Sequence, residues 1–405
     1  MAMPFFYLSI KKLFGRSIAL ICLLSMALCF FLVFYSNELK QYSSDVLFSC
    51  IVLYLFSLLV HHSEKPVNYL WMGISGSIII WFSNPSFLVI VSLGFGWFIL
   101  ANHTWKDKLI LGIYWMLPVV ISFIIYFVSF IQDHPTRSIM QQYWTDYFLP
   151  ITSFGDAWDW VSLRGESYFA NSLTIRSRFI IIANLMFVIG IVRQLFYKDK
   201  YLALLFIPVI LHLALSSFKM YPWETRIFLY TLPFILIYIA IGIYSISSAM
   251  HSRILLIILT FLIINKSLQF DIRQWKNPRR NEHLRPVVEL VESRLDTKDK
   301  IYVHSSAIPA FRYYEPIIFN DAANVTVIQG KKLDVPGEFE NQLSTLNGRI
   351  WFIFSHPYPP LGIKMIDSLI AWRNLPVLDS IYDESARAIL VNVPPGGMDV
   401  NAREP

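Results

Sequence analysis

Nine apolar runs fill most of the first 270 residues, and they constrain the fold more than any other feature of the sequence. A helix needs about 20 mainly apolar residues to cross a bilayer, so the shorter runs must borrow residues from their flanks. Only 15% of all residues are charged, against about 25% in an average soluble domain. The sequence therefore predicts a mostly α-helical, multi-pass membrane bundle with about nine transmembrane helices, at residues 17–35, 46–60, 67–82, 87–101, 109–131, 179–196, 201–217, 227–246 and 254–268.

Basic residues mark every second loop between these runs, which predicts the orientation of the bundle. Short cytoplasmic loops of membrane proteins carry an excess of Lys and Arg. Here the basic loops contain Lys11, Lys12, Arg16, Lys65, Lys106, Lys108, Lys198, Lys200 and Arg253. We therefore expect the other loops, and everything after Leu268, to lie outside a cell inner membrane. These outward loops are residues 36–45, 83–86, 132–178 and 218–226.

The composition changes at Asp271, where charges become frequent and the apolar runs shrink to the length of strands. Strand patterns then alternate with helical patterns, which favours a small α/β domain with a largely parallel sheet. The strand patterns lie at 300–306, 325–328, 349–356 and 388–393, and the helical ones at 283–295, 309–314 and 362–373. We predict two domains, a transmembrane helical domain at 1–270 and an extracytoplasmic soluble α/β domain at 271–405.

The polar stretch between the first two runs carries more charge than a short turn needs. Glu38, Tyr42 and Asp45 share one face if the second span already begins as a helix there. An ionisable group that faces a bundle at the membrane boundary is a functional candidate. We assign Glu38 and Asp45 as candidate catalytic carboxylates, with Lys40 and Tyr42 beside them. The alternative is ordinary solvation of a helix end, with Glu38 paired to Lys40 or Lys219.

A second outward segment, "FKMYPWETR" at residues 218–226, places two cations around a turn that contains proline and aromatic residues. Lys219 and Arg226 suit a phosphate group, because Arg offers a bidentate fork and Lys a mobile point charge. Arg176 and Arg178, before the sixth run, could add positive charge near the same phosphate group. The alternative is that these side chains only anchor helices at the lipid headgroups.

The long outward loop at residues 132–178 mixes tryptophans with acidic residues, as sugar sites and amphipathic surface helices both do. We favour a surface helix for most of this loop. No phosphate-binding glycine loop, nucleophile elbow or His-Glu-x-x-His sequence occurs. The cysteines lack metal-ligand spacing, and no dense basic run indicates nucleic acid. The sequence thus predicts no metal or nucleic-acid site, and the cofactor is unknown.

Several segments together resemble the bacterial polytopic C-class glycosyltransferases, in the group related to protein O-mannosyltransferases (family 39-like). The segments are "ELKQYSSDV", "SNPS", "YPWETRIFLYTLP", "DKIYVHSSAIPAFRYY" and "RIWFIFSH", and the resemblance runs over nearly the whole chain. It implies a multi-pass inner-membrane enzyme that takes a sugar from a polyprenyl-phosphate donor. The sugar is then transferred, on the outer face, to a lipid, glycan or protein acceptor.

The resemblance also implies roles for particular residues. It implies an inverting displacement, in which a carboxylate acts as general base and cations hold the leaving phosphate. Glu38, Lys40, Tyr42 and Asp45 fall in the matching acidic helix start. Lys219 and Arg226, as a further pair, fall in the segment expected near the carrier phosphate.

The sequence departs from that family in one respect, so membership in the family and enzymatic activity of this polypeptide are two separate hypotheses. The family's principal acid pair follows its first span, and the matching segment would precede Met1. We therefore expect a chain that lacks the N-terminal acidic-motif segment, so that transfer by this polypeptide alone is a separate hypothesis. Two other classes stay open, each with an outward α/β domain: a transporter- or flippase-like protein, and an envelope scaffold.

Overall fold

The chain divides into two compact units, Met1–Lys276 and Asn277–Pro405. The computed structural model describes all residues except 39, 63–64, 133, 135–136, 174–178, 198–199, 279–282, 320–324, 332–337, 356–360, 384, 396–397 and 399–405. Residues 271–276, which composition assigned to the soluble domain, form the end of the last helix of the first unit.

The first unit is built from helices alone in its described residues. They are α1 (Ala2–Phe14), α2 (Arg16–Ala27), α3 (Phe30–Ser36), α4 (Tyr42–His62), α5 (Pro66–Ile80), α6 (Ser86–Leu100), α7 (Trp105–Tyr126), α8 (Arg137–Tyr143), α9 (Phe154–Ser172), α10 (Ile180–Tyr197), α11 (Lys200–Ser217), α12 (Leu232–Ala249) and α13 (Arg253–Lys276). A π-helical turn, Phe127–Ile131, continues α7, and 3-10 turns occupy Thr145–Tyr147 and Leu229–Thr231.

Every predicted apolar run coincides with helical structure, so the prediction of a polytopic helical bundle is confirmed. Within the described residues, four helices are long and apolar enough to cross a membrane, at Tyr42–Val60, Trp105–Ile131, Leu229–Ala249 and Arg253–Lys276. If α2 and α3, which are bent by 57° relative to each other, count as one span, the number of candidate spans rises to five. The other predicted spans correspond to shorter apolar helices, at Pro66–Ile80, Ser86–Ile99, Ile180–Arg193 and Phe206–Ser217.

Burial separates a central helix from helices at the surface of the bundle. In the apolar window of α12, 83% of the residues are buried, against 17% for α7 and 22% for α13. A helix that is apolar all round and buried lies in the core, whereas an exposed apolar face is suited to lipid. The bundle is therefore organised around α12, and α7 and α13 present apolar faces to the membrane.

The second unit is a mixed α/β domain. Its elements are α14 (Leu284–Arg294), β1 (Lys300–Val303), α15 (Ile308–Ile318), β2 (Thr326–Gln329), α16 (Glu338–Thr345), β3 (Gly348–Ser355), α17 (Leu361–Trp372), β4 (Val377–Asp383) and β5 (Ala386–Val393). The strand order is β2-β1-β3-β5-β4. Apolar clusters cover both faces of the sheet, one with α14 and α15 and the other with α16 and α17.

The expectation of a largely parallel sheet is wrong. β1 pairs in parallel with β2 and β3, but β5 lies antiparallel to both β3 and β4. The reason is that β4, which has no counterpart among the predicted strands, is a mostly exposed edge strand without an apolar run. Only two residues separate β4 from β5, and a connection that short joins antiparallel strands.

Candidate functional site

One cavity of about 870 Å³ in the helical unit brings together five of the six candidate residues. They are Lys40, Tyr42, Asp45, Lys219 and Arg226. The rest of the lining is mainly aromatic and polar, with Trp81, Ser83, Asn84, Tyr126, Gln141, Tyr143, Trp144 and Tyr221 among its residues. Two segments far apart in the sequence, one acidic and one basic, therefore share a single cavity. Its volume is typical of ligand sites.

The carboxylate of this cavity is Asp45, in the first turn of α4. The side chain is only 5% exposed, and its Oδ1 atom has no hydrogen-bond partner in the described part of the chain. Ser83 lines the same cavity. A buried carboxyl oxygen without a partner retains the capacity to accept a proton or a hydrogen bond.

The predicted shared face of Glu38, Tyr42 and Asp45 is wrong for Glu38. α4 begins at Tyr42, so Glu38 lies before the helix and outside its periodicity. Glu38 is not among the residues that line the cavity, and instead its Oε2 atom pairs with the Lys40 Nζ atom at 3.2 Å. This is the ion pair that the alternative interpretation anticipated. It leaves Asp45 as the candidate carboxylate within the cavity.

Lys219 enters the cavity wall from a helix end with a defined hydrogen-bond pattern. The Met220 N–H donates to the Leu215 carbonyl at 3.0 Å, and the Lys219 N–H donates to the Ser216 carbonyl at 2.9 Å. This is the Schellman pattern, whose penultimate residue adopts a left-handed conformation. Lys219 occupies that position with φ 57°, although glycine is the usual residue there.

Arg226 lies at the other end of the same turn, against an aromatic ring. Its guanidinium carbon is 5.2 Å from the centre of the Trp144 ring, a cation–π distance. The Nε atom is buried without a hydrogen-bond partner among the described residues. Burial raises the pKa of the neighbouring Glu224 carboxyl, and the positive charges of Arg226 and Arg164 oppose that rise. Arg226 therefore keeps donor capacity for an anion in the cavity.

Several further residues line the cavity that were not among the predicted site residues. The turn "SNPS" was predicted as an outward loop and as part of the family resemblance, without a residue in the site, yet Ser83, Asn84 and Pro85 all line the cavity. The Ser86 hydroxyl donates to Ser83 Oγ at 2.7 Å, which holds the turn in place. The π-helical turn after Tyr126 also reaches the cavity. Such turns are frequent at functional sites, but no local sequence signal predicted this one.

The long loop contributes mainly two helices, α8 and α9, in its described residues. Hydrogen bonds from Thr152 and Ser153 lower the pKa of Asp156 near the start of α9, where Ser153 caps the helix. Arg176 and Arg178 lie outside the described residues. No group of three or more His, Cys, Asp or Glu residues that could hold a metal ion occurs in the described ranges.

Fold and cavity together define a multi-pass helical membrane protein with a C-terminal α/β domain and a cavity that carries both a carboxylate and cations. No protein-family model and no curated protein matches the chain. Among solved structures, it is similar to the crystal structure of the Archaeoglobus fulgidus oligosaccharyltransferase in complex with Zn and sulfate, with 12% sequence identity and a TM-score of 0.46.

That alignment covers 87% of this chain and 54% of the archaeal one, so this chain spans about half the length of the oligosaccharyltransferase. A TM-score below 0.5 does not establish a common fold. The chemistry of the cavity is therefore argued from the residues of this chain alone.

Proposed function

We propose that this protein is a membrane glycosyltransferase-like protein of the cell inner membrane. It transfers a sugar from a polyprenyl-phosphate donor to a lipid or glycan acceptor on the outer side. The observation that carries the proposal is the convergence of Asp45 with Lys40, Lys219 and Arg226 on one cavity. Transfer requires cations that bind the donor phosphate and, close to them, a carboxylate that accepts the proton of the incoming hydroxyl.

The cations bind the donor phosphate and stabilise it as a leaving group. Arg226 supplies a planar fork of donors, and Lys219 supplies a point charge from the same turn. Lys40 adds a third cation, which Glu38 holds in position through their ion pair. Because the phosphate gains negative charge as the sugar leaves, these contacts strengthen during the reaction and so lower its barrier.

Asp45 acts as the general base on the acceptor. The acceptor hydroxyl oxygen attacks the anomeric carbon of the sugar, and its proton passes to the Asp45 carboxylate. The bond between the anomeric carbon and the phosphate oxygen breaks, and the electron pair leaves with the polyprenyl phosphate. Attack opposite the leaving group inverts the anomeric configuration. Tyr42, one turn before Asp45, lines the cavity and contributes a hydroxyl to donor binding.

The test uses the full chain in nanodiscs, supplied with polyprenyl phosphates that carry different hexoses or pentoses. Asp45→Asn is expected to lower the release of polyprenyl phosphate by about 100-fold or more, because it removes the base. Its affinity for the sugar-free polyprenyl phosphate should change less than about threefold. Arg226→Ala should instead weaken that affinity by about tenfold or more, since a charge-assisted hydrogen bond contributes about 1.5–3 kcal/mol.

Arg164→Ala is the matched control, because Arg164 is a neighbouring guanidinium that does not line the cavity. It should leave binding within about twofold of wild type. Binding without any turnover in the wild-type protein would contradict transfer by this polypeptide alone, and would fit either a chain without the family's acidic-motif segment or the transporter- or flippase-like alternative. An absence of binding would contradict the proposal and favour a scaffold.

A further inference from the structure

His212 is a buried polar residue in the C-terminal half of the apolar helix α11, and the mechanism above does not use it. Its side chain is 0% exposed. Four aromatic rings surround the imidazole, with centroid distances between 4.6 and 6.1 Å, from Tyr221, Trp223, Phe228 and Tyr230. An apolar side chain would fill this space without the desolvation penalty of an imidazole. The position therefore calls for an explanation beyond packing.

Both ring nitrogens of His212 have partners, and these partners define the tautomer. Nε2 lies 3.3 Å from the Pro222 carbonyl oxygen. A carbonyl can only accept, so Nε2 carries the proton. Nδ1 lies 3.1 Å from the Tyr230 hydroxyl, and in the neutral ring it accepts from that hydroxyl. His212 thus ties the backbone of the turn, at Pro222, to the start of the next helical segment, at Tyr230.

The segment that His212 contacts is the wall of the cavity that bears the two cations. Residues 218–228 contain no α-helix, and many of them line the cavity, including Lys219, Tyr221 and Arg226. A backbone N–H or carbonyl that is shielded from water needs a hydrogen-bond partner within the protein. The Trp223 N–H donates to the Tyr147 carbonyl at 2.8 Å. The Pro222 carbonyl accepts a hydrogen bond from the His212 ring.

We propose that His212 is a positioning residue, which holds the cation-bearing turn in place through the hydrogen bond from Nε2–H to the Pro222 carbonyl. The bond fixes the middle of the turn, between Lys219 and Arg226, so both cations point into the cavity at a constant separation. The bond to Tyr230 orients the ring and selects the tautomer. The consequence for phosphate binding rests on the proposed function, whereas the effect on the turn does not.

Two substitutions of similar shape test the two hydrogen bonds of His212 one at a time. In His212→Gln, the amide nitrogen takes the place of Nε2 and keeps the donor to Pro222. In His212→Asn, the amide oxygen takes the place of Nδ1, so the bond to Tyr230 is kept and the bond to Pro222 is lost. If His212 only fills space, the larger Gln and the smaller Asn should differ in thermal stability alone. A positioning role predicts a difference in the turn itself.

The measurement is amide hydrogen exchange of residues 218–228 in the full chain in nanodiscs, together with the Kd for sugar-free polyprenyl phosphate. His212→Asn is expected to speed exchange of this segment and to weaken binding, each by about tenfold. His212→Gln should stay within about threefold of wild type in both. Val209→Ala is the control for general core damage, because Val209 is a buried residue of the same helix that does not line the cavity. It should leave exchange of the turn unchanged.

Equal exchange in the Asn and Gln variants, whether both fast or both slow, would overturn the positioning role. So would rapid exchange of the turn in Val209→Ala. If wild type fails to bind polyprenyl phosphate, the proposed function is lost, but the exchange measurement still decides the role of His212. Loss of binding in His212→Asn with an unchanged turn would also contradict the proposal.

Discussion

At the scale of single residues, Lys219 combines an unfavourable backbone with a functional position. A non-glycine residue in the left-handed conformation is less stable by about 1–2 kcal/mol. His251 has the same relation to α12, with φ 49° and with hydrogen bonds to Ser248 and from Ser252 to Ser247 at 3.1 and 2.9 Å. The two residues differ in that only Lys219 lines the cavity.

This comparison gives a prediction. Lys219→Gly and His251→Gly should each raise the free energy of unfolding by about 1 kcal/mol, because glycine adopts this conformation without strain. Only Lys219→Gly should weaken binding of polyprenyl phosphate, because only that variant removes a cation from the cavity. Thermal melting and Kd measurements on both variants test this. Equal binding by the two would remove Lys219 from the site.

At the scale of elements, the bundle depends on close contact between α10 and α12. A Cβ atom added at Gly242 would lie 1.9 Å from the Met186 carbonyl oxygen, and one at Gly190 would lie 2.1 Å from the Tyr238 carbonyl oxygen. Small residues of this kind let membrane helices approach backbone to backbone. Since α12 is the most buried of the long helices, this contact fixes α10 against the core of the bundle.

Gly242→Ala should therefore force the two helices apart and lower the free energy of unfolding by about 1–3 kcal/mol. Gly165→Ala is the matched control, because α9 offers open space around Gly165. There the substitution should be neutral or raise stability by up to about 1 kcal/mol, since alanine favours helix more than glycine does. Thermal melting in nanodiscs distinguishes the two. A similar loss of stability in both variants would contradict backbone-level packing between α10 and α12.

At the scale of the whole molecule, the C-terminal unit has its own apolar core and its own ion pairs, so we expect residues 277–405 to fold as a separate unit. Asp299 is a buried member of this unit, with its side chain 0% exposed. Its Oδ1 atom accepts from Arg349 Nε at 2.6 Å, and its Oδ2 atom accepts from the Asp296 N–H at 3.1 Å. Asp379 forms a more exposed pair with Arg294 at 3.0 Å.

Asp299→Ala should lower the free energy of unfolding of residues 277–405 by about 1–3 kcal/mol, because it removes a charge-assisted bond and leaves a backbone donor unpaired. Asp379→Ala should change it by less than about 1 kcal/mol, as is usual for exposed pairs. Chemical denaturation of this unit as a separate chain measures both values. Failure of the separate chain to unfold cooperatively would contradict its independence.

The helical bundle could be predicted from the sequence because its signal is local. Each apolar run contains the information that it forms a helix in lipid, and every run does coincide with helical structure. The α/β domain was predicted from strand and helix patterns for the same reason. β4 was missed because an exposed edge strand carries no apolar run, and the antiparallel half of the sheet was missed with it.

The candidate residues were chosen from two polar segments whose proximity no local pattern could establish. Charge at the membrane boundary marked Lys40, Asp45, Lys219 and Arg226 as candidates, but helical spacing wrongly grouped Glu38 with Asp45, because no capping signal in residues 36–45 was used to place the start of α4 at Tyr42. Ser83 and His212 were not selected because neither lies in the two charged segments, and only the structure shows that Ser83 lines the cavity and that His212 contacts the turn.

The sequence by itself determined that this chain is a multi-pass helical membrane protein with a C-terminal α/β domain, because hydropathy and periodicity act over one helix or strand at a time. Only the tertiary structure decided that the acidic start of α4, the turn before α6 and the cation-bearing turn after α11 meet in one cavity. Such a meeting depends on how α4, α6 and α11 pack against one another, and packing is set by side chains distant in sequence, which no single segment contains.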